Sequence, residues 1–425
     1  MHRRDFLKGL FSGLILGVTG CVRTVPSDAP APVSSPATEE NIQASAQNQE
    51  DLSEENPKPP AEPVALRLAV IADMNDSYGS TTYSQEVVDT IDSIIASKPD
   101  LVINLGDMVA GQKAKLNYRA MWCAFHETVT KRLEDAGIPM AQVPGNHDAS
   151  AYSAYAKERE IYIDEWNQHK SDLRYISDEH YPLYYSFEMK GFYFIALDLT
   201  TLEPMDDEQF EWFKAQLAAN PTNRGAIVFS HVPLHGVSSI KPREIVRDER
   251  IAPLLREHRV QLFLTGHQHA YFPARVGPTM YMHSGAQGGG PRSVRQNAGV
   301  MPKTFSYINL YQKHEPYPET YTIEGGFEPF QYYKLPTWLI FPNYILTRFD
   351  ISEEEALFAH QHMISSHMTR SQMRMLVAAI KNGTYASAVP MPDWQLVQQS
   401  EGMNSGPSLP SVLETPILRQ LERGK

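Results

Sequence analysis

Five short apolar runs in this 425-residue chain each stop on an aspartate, an asparagine or a histidine, and that repeated ending constrains the fold more than any other feature. Residues 66–72 end at Asp73, and residues 101–105 lead into Gly106 and Asp107. Residues 140–143 lead into Pro144, Gly145, Asn146, His147 and Asp148. Residues 226–230 end at His231, and residues 260–265 at Gly266, His267, Gln268 and His269. Short continuous runs rich in Val, Ile, Leu and Phe read as buried strands.

Between the first two runs, Val87, Val88, Ile91, Ile94 and Ile95 recur at helical spacing and stop before Lys98 and Pro99. Strand, helix and strand then make a parallel crossover unit, with the loops after both strands on one edge. Groups at the carboxyl ends of the strands of an open α/β sheet converge on one crevice, so these residues can meet although they lie far apart in sequence. Taken singly each is weak evidence, because a strand-end aspartate is as often a cap or turn residue as a ligand.

Together, and in this order, the five segments resemble the motif set of the calcineurin-like metallophosphoesterases over residues 73–269. That resemblance implies an α/β sandwich of two mixed β-sheets flanked by helices, here with a C-terminal helical extension. It implies hydrolysis of phosphate esters (phosphomonoesters, phosphodiesters or nucleotides) by a dinuclear metal centre that turns a bound water into hydroxide and neutralises the phosphoryl oxygens. Carried over, Asp107 would bridge the metals, Asp73 and His269 would hold one, and Asn146, His231 and His267 the other. His147 would face the substrate, stabilising phosphoryl charge or protonating the leaving oxygen, and Asp148 would fix its ring. Gly106 and Gly145 would allow close backbone approach or positive φ.

The first family motif usually reads Asp-x-His, whereas here Asp73 and Met74 are followed by Asn75. A carboxamide oxygen is a harder, weaker donor than imidazole nitrogen, which favours manganese, magnesium or iron over zinc at that site. The expected cofactors are thus two divalent or trivalent ions drawn from manganese, iron, zinc and magnesium. Asn75 either ligates, or bonds a water or substrate oxygen, or caps the following turn. The replacement also motivates a second reading, a catalytically weakened metal-binding scaffold of the cell envelope, against which the retained His147 and the full second donor set argue. The polar loop 75–83 either contacts substrate or caps a helix, and Arg292, after the glycine run 288–290, either binds phosphate or is solvated.

The ends of the chain carry different information. Arg3, Arg4, Phe6, Leu7 and Lys8 precede an uncharged stretch, 9–22, that is shorter than the roughly 20 residues a spanning helix needs. It resembles a twin-arginine export signal, and Val18-Thr19-Gly20-Cys21 resembles a lipobox with Cys21 as the acylated residue. The resemblance implies a chain outside the cell membrane, on the periplasmic or cell-envelope face and lipid-anchored; the alternatives are a soluble product cut nearby and an uncleaved amphipathic N-terminus, the second opposed by residues 22–63. Residues 22–63 lack large apolar side chains and read as a disordered tether, and 64–348 as the catalytic domain. Residues 349–425 read as a helical extension and tail, opened by a capping box at Ser352–Glu355.

The substrate expected is a phosphorylated small molecule or lipid, with the membrane a partner through the anchor. A net charge of -12 excludes broad nucleic-acid binding. With Cys21 lipidated, Cys123, the other cysteine, is expected as a buried small hydrophobe. Aromatics alternating from Tyr181 to Phe194 around Lys190-Gly191 predict a core hairpin, and residues 300–348 are expected to complete the second sheet. His360, His362, His367, Met363 and Met368 are explained by helix-face packing rather than by a copper site.

Overall fold

The computed structural model describes residues 56–296, 299–340, 345–352 and 355. In chain order, β1 (Leu66–Ile71), α1 (Gln85–Ser97), β2 (Leu101–Asn104), α2 (Tyr118–Phe125), β3 (Met140–Gln142) and α3 (Ala156–Gln168) come first. Then follow β4 (Arg174–Ser177), β5 (Tyr185–Met189), β6 (Phe192–Ala196), α4 (Asp207–Ala218), β7 (Ile227–Phe229), α5 (Ile251–Glu257) and β8 (Leu262–Thr265). The last are β9 (Phe272–Val276), β10 (Thr279–His283), β11 (Thr304–Leu310), β12 (Tyr317–Thr322), β13 (Trp338–Ile340) and β14 (Ile345–Arg348).

These strands form two mixed sheets flanked by helices, one of five strands in the order β12-β11-β1-β2-β3 and one of nine in the order β13-β14-β9-β10-β8-β7-β6-β5-β4. β1, β2 and β3 run parallel, as do β6, β7, β8 and β10, so the ligand-bearing strands of each sheet point the same way. α1 stops where the sequence indicated: Lys98 turns left-handed at φ 49° and donates its N–H to Ile94 O. Pro99 follows, and proline cannot continue a helix.

The alternation of side chains along β1 explains why its sequence is apolar except at Arg67. Leu66, Leu68 and Val70 join a core shared with Tyr185, Phe187, Phe194, Val228, Leu262 and Leu264 of the other sheet. Ala69 and Ile71 face the opposite way, into a second core with Val87, Ile91 and Ile94 of α1, Trp122 and Phe125 of α2, and Trp166 of α3. A parallel sheet covered on both faces has no solvated side to record as polar residues. The aromatic hairpin lies in the first core, with Phe187 and Phe194 stacked at 4.7 Å.

Three expectations need correction. β11 and β12 complete the first sheet, β11 pairing antiparallel with β1, and only β13 and β14 extend the second. Strand sequence records burial but not which open edge is taken. Cys123 is exposed, because the buried face of α2 is set by Tyr118, Met121, Trp122 and Phe125. Residues 56–63, read as part of the tether, are bonded to the domain. The Asn56 carboxamide donates to Phe330 O at 2.8 Å and accepts from Tyr332 N at 2.9 Å. Glu62 accepts from Gln312 N and Lys313 N, each at 3.1 Å. Polar bonds to loop backbone, which no hydropathy pattern records, fix this segment.

At the other end, Ser352 and Glu355 exchange the reciprocal bonds of the expected capping box. Cys21 with its signal segment, residues 22–55 and the helical extension beyond 355 lie outside the described residues. Among the described residues, no helix is long and apolar enough to cross a membrane.

Candidate metal centre

The loops leaving β1, β2 and β3 of one sheet and β7 and β8 of the other meet at one edge of the sandwich, knitted by backbone bonds. Asp73 N donates to Gly106 O and Asn75 N to Asp107 O, at 3.0 and 3.1 Å. In the second sheet Gly266 N donates to His231 O at 3.0 Å. Gly106 takes φ +90°, and a Cβ on Gly145 would lie 2.0 Å from Asp107 N, so the two loops touch only because neither has a side chain there. Asp73, Asp107, His267 and His269 have φ of 51°, 54°, 67° and 50°. Non-glycine residues in the left-handed region cost energy that the surroundings must offset, and they cluster at functional sites.

The side chains these loops present form two groups whose donor atoms lie within 4.8 Å of one another, Asp107 with His231 and His267, and Asp73 with Asp107 and His269. Asp107 is common to both. Its Oδ2 lies 3.3 Å from His231 Nε2, and Asp73 Oδ1 lies 3.2 Å from His269 Nε2. Asn146 Oδ1 lies 3.1 Å from His231 Nε2 and 2.8 Å from His267 Nδ1.

The far nitrogens of the three rings show why this arrangement calls for cations. His231 Nδ1 faces Leu105 O at 2.7 Å, His269 Nδ1 faces Gly290 O at 2.9 Å, and His267 Nε2 faces Glu244 Oε2 at 3.2 Å. The carbonyls beside His231 and His269 accept only, so the ring proton of a neutral imidazole belongs on that side of these two rings. The nitrogens turned inward then carry lone pairs, aimed at the lone pairs of Asn146 Oδ1, Asp107 Oδ2 and Asp73 Oδ1. Acceptors at such distances repel unless positive charge sits between them. The mixture of carboxylate, carboxamide and imidazole suits divalent first-row ions.

The electrostatics agree. Burial opposes a charge on His231, yet Asp107 and Asp73 beside it push its pKa up to about 9. Asp107 is held well below the usual carboxylate range: its burial acts the other way and is outweighed by His231 and His147. The site therefore attracts a proton where a metal would otherwise sit.

Four neighbours complete the site. Asp148 does not orient the His147 ring; its oxygens accept from Val109 N and Gly145 N, both at 2.9 Å, and it braces the two loops against each other. Its burial and the nearby Asp107 charge raise its pKa, the direction opposite to that of Asp107. His147 Nδ1 instead meets Gly111 O at 3.1 Å, while its own N–H donates to Asp107 Oδ1 at 2.8 Å. Asn75 is buried and donates its amide to Val109 O at 3.3 Å, so only its carboxamide oxygen could serve a metal. Arg292, half-buried, donates Nη1 to His267 O at 3.0 Å.

The sequence reading missed Glu244 and Gln112. Glu244 Oε2 lies 3.2 Å from His267 Nε2, and its neighbours, His267 first and then the Lys241 ammonium at 2.8 Å, lower its pKa to about 2. Gln112 Oε1 accepts the Asn146 amide at 3.0 Å, which turns Asn146 Oδ1 inward. Both lie in irregular loops whose composition carries no periodic signal.

Residues 66–271 match the family model described as calcineurin-like phosphoesterase. Purple acid phosphatase 15 of Arabidopsis thaliana is 26% identical over 225 residues, 48% of this chain and 40% of that protein. Purple acid phosphatase 18 of the same plant is 30% identical over 138 residues, 31% of this chain and 30% of that protein. The chain thus spans less than half the length of either relative. Among solved structures, a dimetal phosphatase from Danio rerio aligns at 16% identity and TM-score 0.43 over 60% of this chain and 99% of that one. A purple acid phosphatase from yellow lupin seeds aligns at 16% identity and TM-score 0.47, over 64% and 54% of the two chains.

Proposed function

We propose that the chain, whose residues 66–271 match the calcineurin-like phosphoesterase model, hydrolyses phosphate esters with two metal ions. The observation that carries this reading is the Asp107 carboxylate, shared by two donor groups at the strand-end edge. Asp107 would bridge, Asn146, His231 and His267 would complete one site, and Asp73, His269 and the Asn75 oxygen the other. Two such cations supply Lewis acidity to the phosphoryl oxygens and lower the pKa of water.

The remaining work falls to the chain. His147, with Nδ1 beside the Gly111 carbonyl at 3.1 Å, would in its doubly protonated form donate the Nε2 proton to the leaving oxygen or to a phosphoryl oxygen. Glu244 and Gln112 hold His267 and Asn146 in the orientation that turns their donor atoms inward. We assign this core to residues 64–348. Export by the twin-arginine route and lipid attachment at Cys21 belong to the same proposal, supported by the N-terminal sequence alone; incorporation of a labelled fatty acid that is lost in Cys21→Ser tests it.

The deciding experiment strips metal from the protein, reloads it separately with manganese, iron, zinc and magnesium, and follows hydrolysis of chromogenic phosphomonoesters and phosphodiesters beside elemental analysis. Turnover restored at about two metals per chain is the expected result. Silence on a wide ester panel with both metals bound would reject the hydrolase.

A further inference from the structure

Large aromatic side chains are normally covered when a chain folds, because each buries a large apolar surface. Tyr78 is 55% exposed, and its ring centroid lies 5.5 Å from that of His147, the planes at 55°. Its loop is fixed on both sides: Asn75 N donates to Asp107 O at 3.1 Å and Gly79 N to Ala110 O at 3.0 Å. Farther along, the Tyr83 hydroxyl donates to Met108 O at 2.7 Å. A tyrosine held this firmly, yet left wet, is placed rather than stray.

Exposed Tyr152 and Ile240 lie in the loops after β3 and β7. The Lys113 ammonium, exposed on the loop after β2, lies 5.4 Å from the Tyr78 ring centroid, near the outer limit of a cation–π contact. The carboxylates and imidazoles account for the phosphoryl group, whereas nothing in them accounts for an aromatic surface beside the acid His147.

We propose that Tyr78 is the platform for the leaving group and selects phosphate esters of aromatic alcohols, an inference that rests on the hydrolase reading. In the reaction the P–O bond to the aryl oxygen breaks, a P–O bond to a water oxygen forms, and one proton passes to the aryl oxygen. No redox partner is needed. The aryl group, attached to the oxygen that His147 faces, lies against the Tyr78 ring.

The test uses the full chain loaded with manganese and two readouts. Calorimetry compares a naphthyl phosphonate with a propyl phosphonate, neither of which can be hydrolysed, and kinetics compares naphthyl phosphate with glycerol phosphate. Tyr78→Ala is expected to weaken the naphthyl phosphonate on the order of tenfold more than the propyl one. It should raise KM for naphthyl phosphate by a similar factor, with kcat moving less. Tyr78→Phe, which keeps the ring, should keep the preference. Equal losses for both ligands would show that the ring only props His147, and would overturn the platform, as would a Tyr78→Phe variant that behaves like Tyr78→Ala. If turnover is absent with each of the four metals but the Tyr78-dependent naphthyl preference is present, the ring binds aromatic groups and its leaving-group role falls with the hydrolase reading; turnover without that preference rejects the platform alone.

Discussion

His231, just past β7, and His283, the last residue of β10, are both buried at the carboxyl end of the second sheet, yet their surroundings drive them in opposite directions. His231 meets Asp107 and Asp73, which overcome its burial and raise its pKa to about 9. His283 has Thr265 Oγ1 at 3.5 Å and His235 nearby; burial first, and then the His235 charge, lower its pKa to about 3. His235 is itself lowered to about 4 by burial. A strand-end histidine is thus not a ligand by position. Opposite the carboxylates of the first sheet it is a candidate metal donor, and away from them it is a neutral core residue.

The sharpest way to break this contrast is Asp107→Asn, which removes the charge shared by both donor groups. Metal content should fall together with turnover, by on the order of 10³-fold or more, since several kcal/mol of charge stabilisation go with the ions. Elemental analysis beside kinetics checks it, and a variant that keeps both metals would remove Asp107 from the bridging position. His147→Ala should lower kcat by roughly 10²- to 10⁴-fold, the usual weight of a general acid, while metal content stays near that of the parent. Metal loss equal to that of Asp107→Asn would merge the two roles.

Glu244→Gln sharpens the comparison within the ligand histidines. His231 and His269 are backed by neutral carbonyls, but His267 by a carboxylate. Replacing that charge should weaken metal binding about 10- to 100-fold at one of the two sites, read by competition with a chelator. Unchanged affinity at both sites would make Glu244 a mere surface ion pair with Lys241.

The smallest effect is expected in the core. The folded chain keeps His283 neutral, whereas the unfolded chain takes up a proton near the ordinary histidine pKa of about 6.5. Acidification from there towards about 3 therefore favours unfolding. His283→Gln should flatten the fall in denaturation midpoint over that interval and leave metal content unaltered. A steepened pH dependence would reverse the assignment of His283 as a neutral core group.

Much of the molecule was legible beforehand. The apolar runs that became β1, β2, β3, β7 and β8 announced themselves by length and residue type, because a strand covered on both faces has few solvated positions to hold polar residues. α1 was equally clear, from the spacing of Val87, Ile91 and Ile94 to its stop at Lys98-Pro99. The polar residues ending those runs were marked as a set by their order along the chain.

What the chain could not reveal alone is what each of those groups faces. Asp148 sits next to His147 in sequence, yet braces Val109 and Gly145, and the ring is held by Gly111 instead. Glu244 has no motif and still governs His267. β11 and β12 joined the first sheet although their residues would serve either. The sequence by itself determined which residues are buried in regular elements and which polar residues stand where those elements end, because periodicity records the environment of a residue's own strand or helix. Only the tertiary structure decided which lone pairs converge, which edge was paired and which loop carbonyl holds a ring, because those depend on contacts between segments far apart in the chain, and such contacts leave no local pattern.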